Sequence, residues 1–261
     1  MNLNFDNNQN HYFYRNKNTI PLVFIHGVGL SKSMWKPQVD FFENYSVLTY
    51  DLLGHGKTPF SKDNLTISDF SNQLIELLNY LKLKKINLIG FSIGSLIALD
   101  FSSKNQQYLN SLTLIGSTYM RTEDERKKVI DRVNLAKENR SISKLAMKRW
   151  FSDEYLNNNP ELHKKFIQEL EKKGNDHANF IKAYSLFAYY EDDLNIVKNI
   201  PTKTLVLTGE LDPGSTPKMS KKLCSDMINA NYVEIKNGKH LCSIECADDV
   251  NFAIKKHIDN A

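Results

Sequence analysis

Apolar and polar positions along the chain fall into two alternating patterns. Short, mainly apolar runs recur at Pro21-Leu22-Val23-Phe24-Ile25, Tyr45-Ser46-Val47-Leu48-Thr49-Tyr50, Ile86-Asn87-Leu88-Ile89, Ser111-Leu112-Thr113-Leu114-Ile115 and Thr204-Leu205-Val206-Leu207. Runs this short, closed by glycine or charge, read as strands buried on both faces. Between them lie stretches of helical period. Thr66-x-x-Asp69 forms a capping-box pattern, and Phe70, Leu74, Leu77, Leu78 and Leu81 follow on one helix face. Ile93 to Phe101 is apolar and small throughout, as a helix pressed onto a sheet must be. Strands alternating with helices predict a parallel sheet with right-handed crossovers. Asn4 to Arg15 adds an edge hairpin, and Tyr232 to Ile235 a last strand before a helix over Asp248 to Ile258.

The alternation stops between Tyr119 and about Lys198. Here the pattern predicts helices alone: Arg126 to Glu138, Ile142 to Phe151, Pro160 to Lys173 and His177 to Tyr190. The block reads as a helical cap inserted over the C-terminal edge of the sheet. Its aromatics, Phe180, Tyr184, Phe187, Tyr189 and Tyr190, are expected mostly in cap core, with a minority facing a pocket. The expected organisation is a core of residues 1–118 and 199–261 with a cap of residues 119–198.

Composition narrows the class without changing the fold. A chain of 261 residues, 41% hydrophobic and 25% charged, suits one α/β domain carrying an insertion. The 34 basic and 30 acidic residues are interspersed, so solvated helix faces explain them better than a nucleic-acid patch. No apolar stretch is long enough to span a bilayer. The first residues show no secretory pattern, and three cysteines, all after Leu223, form no disulfide framework. A cytoplasmic protein is expected.

The chemistry centres on Gly90-Phe91-Ser92-Ile93-Gly94, placed between a strand and a helix. A serine in so sharp a turn needs neighbours without side chains, and the turn lifts its hydroxyl above the sheet edge. The Ile93 N–H then lies at a helix N-terminus, where a developing oxyanion could be held. A serine hydroxyl also needs a base, and the base needs an orienting acid. Asp212 and His240 each follow a predicted strand, so loops at one sheet edge can bring them to Ser92. His26 and His55 compete as base, and Asp51 as acid; the place of Asp51 before Gly54-His55-Gly56 suits a structural role. His11, His163, His177 and His257 read as surface or packing residues. Cys242, Cys246 and His240 offer too few ligands for a metal, and no cofactor is expected.

With His26-Gly27-Val28-Gly29, Asp51-x-x-Gly54-His55-Gly56, the Ser92 motif, Gly209-Glu210-Leu211-Asp212 and Gly238-Lys239-His240 in place, the chain resembles the α/β-hydrolase superfamily over essentially its whole length. The resemblance implies the α/β-hydrolase fold, a mostly parallel central sheet flanked by helices. It implies Ser92 as nucleophile, His240 as general base then acid, and Asp212 as orienting acid. The backbone N–H groups of Val28 and Ile93 would form the oxyanion hole. Serine rather than aspartate at the nucleophile argues against dehalogenases and epoxide hydrolases. Leu53 departs from the arginine many members carry before Gly-His-Gly.

Lys148-Arg149-Trp150-Phe151, Asn159-Pro160-Glu161, the stretch Gly209 to Pro217 and Ser243-Ile244-Glu245 are similar to 3-oxoadipate enol-lactonases. That makes Arg149 and Trp150 candidates for a substrate wall. The competing reading of Arg149, as a solvated cap residue, weighs more on the sequence. The expected activity is hydrolysis of a small-molecule ester or lactone through an acyl-serine, with an enol-lactone of a small dicarboxylic acid as the specific form. A C–C bond hydrolase, a carrier-protein methyl esterase and a non-catalytic ligand-binding protein stay open. Oligomeric state is not readable.

Overall fold

The computed structural model describes residues 3–138 and 141–261. The chain opens with β1 (Leu3–Phe5), β2 (His11–Arg15) and β3 (Leu22–Ile25), followed by α1 (Lys36–Phe41) and β4 (Val47–Tyr50). Then come α2 (Ile67–Tyr80), β5 (Ile86–Phe91), α3 (Ile93–Lys104) and β6 (Leu109–Ile115). Six helices follow without a strand: α4 (Glu123–Lys137), α5 (Ser143–Trp150), α6 (Asp153–Asn158), α7 (Pro160–Leu170), α8 (Gly174–Tyr189) and α9 (Leu194–Lys198). The chain closes with β7 (Thr204–Gly209), α10 (Pro217–Asp226), β8 (Ala230–Ile235), α11 (Cys242–Glu245) and α12 (Ala247–Ile258).

The strands form one eight-stranded sheet in the order β1-β2-β4-β3-β5-β6-β7-β8. The two pairings at the hairpin edge, β1 with β2 and β2 with β4, are antiparallel, and every other pairing is parallel. Successive side chains of a strand face opposite sides of a sheet. Val23 and Ile25 therefore enter one apolar core with Leu74, Leu77, Leu96 and Phe101 of α2 and α3. Leu22 and Phe24 enter the other, with Trp35, Val39, Val250 and Ile254. Both faces are covered, and that is why the strands read as mainly apolar runs. α3 is buried from Ile93 to Ser102, which accounts for its lack of a polar face.

Helix starts follow local chemistry. Thr66 and Asp69 cap α2 reciprocally, as do Thr122 and Glu125 at α4. Pro217 opens α10, and Pro160 opens α7, where a missing N–H costs nothing. The helices of the middle block differ in detail from the sequence expectation. α7 ends at Leu170 rather than Lys173, α8 begins at Gly174 rather than His177, and α6 and α9 had no sequence counterpart. Among the described residues no helix is long and apolar enough to cross a membrane.

Candidate active site

The turn between β5 and α3 is the most constrained point of the chain. Ser92 sits there at φ 55°, ψ −118°, a conformation that side chains disfavour and that persists only when its surroundings impose it. Two close approaches impose it. A Cβ on Gly90 would lie 2.2 Å from the Gly94 carbonyl oxygen, and a Cβ on Gly94 would lie 2.5 Å from that of Ile25. Only glycine allows α3 to start so near β3 and β5.

Asp212 follows β7, and His240 follows β8. The His240 Nδ1–H donates to Asp212 Oδ2 at 2.6 Å. The other carboxylate oxygen, Oδ1, accepts the N–H groups of Gly214 and Ser215 at 2.8 and 2.9 Å. The carboxylate is thus fixed by its own turn, with one oxygen left to orient the imidazole. His240 also packs on the Phe91 ring at 4.9 Å between centroids. Nδ1 is committed to Asp212, so Nε2 is the nitrogen free for proton transfer.

Ser92, His240, Gly27 and Val28 line one cavity between the sheet edge and the middle helices. Among the described residues, the N–H groups of Val28 and Ile93 donate to no protein acceptor. They are the two donors expected to face an oxyanion. The Val28 loop is anchored from beneath by His26. Its Nε2 accepts the Leu52 N–H at 2.9 Å, which leaves the proton on Nδ1 to donate to the Gly27 carbonyl at 2.8 Å. Burial lowers the pKa of His26 to about 4 and that of His55 well below its ordinary value.

Asp51, the rival acid, is spent on structure. It accepts from His11 Nδ1 at 2.7 Å and from the N–H groups of Lys32 and Lys57 at 2.8 and 3.0 Å. His11 is correspondingly a buried packing residue. His257 is buried with Nε2 3.1 Å from the Leu112 carbonyl, and His177 Nε2 lies 3.1 Å from that of Ala136.

Arg149 and Trp150, at the end of α5, both line the cavity. The reading of Arg149 as a solvated cap residue is therefore corrected. Burial lowers its pKa, and Tyr184 and Asp212 act in the opposite direction. A seam of hydrogen bonds joins α5 to the His240 loop. Leu241 N–H donates to Trp150 O at 3.0 Å, Lys239 Nζ to Lys148 O at 2.9 Å, and Ser152 N–H to Glu245 Oε1 at 2.9 Å. Two further cavity residues, Arg132 of α4 and Tyr184 of α8, were missed as site residues from the sequence. Arg132 stands in a mixed-charge run that resembles any solvated helix. The available signal was its place beside the buried stripe Val129, Val133 and Ala136.

Comparison with known proteins agrees with this architecture. The family model described as alpha/beta hydrolase fold matches residues 20–246, and the chain belongs to that family. It is a hydrolase of the α/β fold. Its relatives include the (E)-2-((N-methylformamido)methylene)succinate hydrolase of Acinetobacter baylyi, 28% identical over 98% of this chain and 97% of that protein. The 3-oxoadipate enol-lactonase 1 of the same organism is 28% identical over 88% of this chain and 85% of its own length. Among solved structures, the enol-lactonase from Burkholderia xenovorans superposes with a TM-score of 0.86, at 22% identity, covering 97% of this chain and 98% of the other.

Proposed function

We propose that the protein is a serine hydrolase of small carboxylic esters or lactones. The observation that carries this is the His240–Asp212 hydrogen bond of 2.6 Å, opening onto the same cavity as a serine held at φ 55°. Ser92 Oγ attacks the acyl carbonyl while its proton passes to His240 Nε2. Asp212 holds the imidazole in the required tautomer and stabilises the imidazolium. The N–H groups of Val28 and Ile93 take up the developing oxyanion. Collapse of the tetrahedral intermediate releases the alcohol or enol, which takes the proton from His240. Water, deprotonated by the same nitrogen, then frees the acid and restores Ser92. Arg149 and Trp150 border the substrate.

An enol-lactone of a small dicarboxylic acid is the specific substrate we put first, in keeping with the relatives named enol-lactonases. A second reading, hydrolysis of a different bond in a substituted succinate, is favoured by the relative named for such a substrate, which matches nearly the whole of both chains. The proposal includes no cofactor, no nucleic acid or membrane partner, and a cytoplasmic location.

The test is hydrolysis of 3-oxoadipate enol-lactone beside a short-chain p-nitrophenyl ester by the wild type and Ser92→Ala. Loss of at least about 10⁴-fold in kcat with Ser92→Ala, together with fluorophosphonate labelling of Ser92 in the wild type, is expected. Turnover unchanged in Ser92→Ala overturns the assignment. Ester turnover without lactone turnover removes the lactone and keeps the nucleophile.

A further inference from the structure

A buried hydroxyl without a hydrogen-bond partner keeps its desolvation cost, so folded proteins seldom leave one unpaired. The Thr118 hydroxyl is such a case: it is buried and hydrogen-bonds to no group among the described residues. Trp35, Tyr50, Ser243 and a few other buried side chains also carry an unpartnered polar atom. Of all these, Thr118 alone lines the Ser92 cavity.

A second hydroxyl stands in the same wall, that of Ser215. The main chain of this residue is fully engaged. Its N–H donates to Asp212 Oδ1, and its carbonyl accepts from Thr208 Oγ1, each at 2.9 Å. The hydroxyl itself has no partner among the described residues. Thr118 is 3% exposed and Ser215 1%, so both are withdrawn from bulk water.

The sheet, not the cap, positions the pair. Thr118 follows β6, where the Gly116 N–H donates to Leu207 O at 2.9 Å. A Cβ on Gly116 would lie 3.4 Å from His240 Cε1, which places this turn beside the imidazole. The next residue after Thr118, Tyr119, is tied to α10 by its hydroxyl, which donates to Asp226 Oδ2 at 2.9 Å. The next residue after Ser215, Thr216, caps α10 by accepting the Met219 N–H at 3.3 Å. Tyr119 and Thr216 border one outer cleft, so the two segments run side by side. In the sheet, β3 flanks β5 on one side, and β6 and then β7 follow on the other. Thr118 and Ser215 therefore stand across Ser92 from Val28.

We propose that the Thr118 and Ser215 hydroxyls form a subsite for one uncharged substrate oxygen, a ketone or hydroxyl carried near the scissile carbonyl. Charge decides the class. Ser215 is bonded to the Asp212 carboxylate, so a substrate carboxylate brought here would face a buried negative charge. A ketone oxygen can accept from both hydroxyls, and a substrate hydroxyl can donate to either. A plain alkyl chain leaves both unpaired, which is how such a site disfavours it. What this says of turnover rests on the Ser92 reading, while the subsite is a binding site in its own right.

Matched ligands test the subsite without the chemistry. Methyl 3-oxobutanoate, methyl 3-hydroxybutanoate and methyl 4-oxopentanoate are titrated into Ser92→Ala and followed by NMR, beside methyl butanoate and methyl pentanoate. At least one oxygen-bearing ester should bind about 3- to 10-fold more tightly than its match, the range of a neutral hydrogen bond. Adding Thr118→Val, which keeps the branched shape, should bring that ratio toward one, and Thr118→Ser should restore it. No advantage for any of the three, or an advantage that survives both Thr118→Val and Ser215→Ala, overturns the subsite whether or not Ser92 is a nucleophile. The urea midpoint of Thr118→Val should be unchanged or higher, since an apolar group replaces an unpaired one. A lower midpoint gives the hydroxyl a structural role and also overturns the proposal. A further readout is the ratio of kcat/KM for p-nitrophenyl 4-oxopentanoate to that for p-nitrophenyl pentanoate. It should be about threefold or more in the wild type and fall toward one in Thr118→Val. A ratio unchanged in that variant overturns the inference. If no ester is turned over while the oxygen-bearing esters bind selectively, the hydrolase reading falls and the subsite stands.

Discussion

Acid should unfold this protein from beneath the loop of Gly27 and Val28. His26 is fully buried, and both ring nitrogens are engaged, one by the Leu52 N–H and one by the Gly27 carbonyl. A second proton would have to enter at Nε2, where it would face a donor and place a charge in a fully buried site. This holds its pKa at about 4, against an ordinary 6.5. The unfolded chain therefore takes up a proton that the folded chain refuses. The stability from the neutral imidazole is fully present above pH 6.5 and is lost as pH falls toward 4. At 1.36 kcal/mol per pH unit, the full effect is about 3 kcal/mol, of which about 2 kcal/mol is gone at pH 5. Near pH 5.5 the slope from His26 alone is about 1.2 kcal/mol per pH unit. The assay is urea unfolding at intervals from pH 7.5 to 5, on the wild type and on His26→Gln, whose amide oxygen can still accept from Leu52. His55, shifted in the same direction, stays in both proteins, so the difference in slope reports His26. The variant should lose stability less steeply, by about that amount. Equal slopes in the two proteins between pH 6.5 and 5 would refute the reasoning, because the titrating group would then lie elsewhere.

Two structural perturbations test the framework of the site. Gly94→Ala places a Cβ 2.5 Å from the Ile25 carbonyl oxygen and 2.8 Å from that of His26, both rigid backbone. It should cost about 1–3 kcal/mol of stability in denaturant unfolding, and a change within about 0.5 kcal/mol would show that α3 can move off β3 freely. Glu245→Ala strips the acceptor from the Ser152 N–H at the corner of α5 and α6. A loss of about 1–2 kcal/mol is expected for the orphaned donor, and an unchanged urea midpoint would remove Glu245 from the seam.

The sheet was legible in the sequence for a physical reason. A strand covered on both faces has no polar side, so β3, β5, β6 and β7 stand out as apolar runs, and a helix covered all round, like α3, stands out in the same way. Ser92 was legible because its strained turn demands glycines at fixed offsets, which few other structures require together. Asp212 and His240 followed from their places after strands, since loops at the C-terminal edge of a parallel sheet meet over one crevice. The cavity wall was not legible to the same degree. Charged residues on a helix read as solvated unless something marks the helix face they share, and only docking onto the sheet decides which face becomes wall. Arg132 lies three residues after Val129 and four before Ala136, and Arg149 lies three after Ala146; both helices bury those apolar neighbours. Tyr184 likewise lies four residues after Phe180 and three before Phe187, on the buried face of α8.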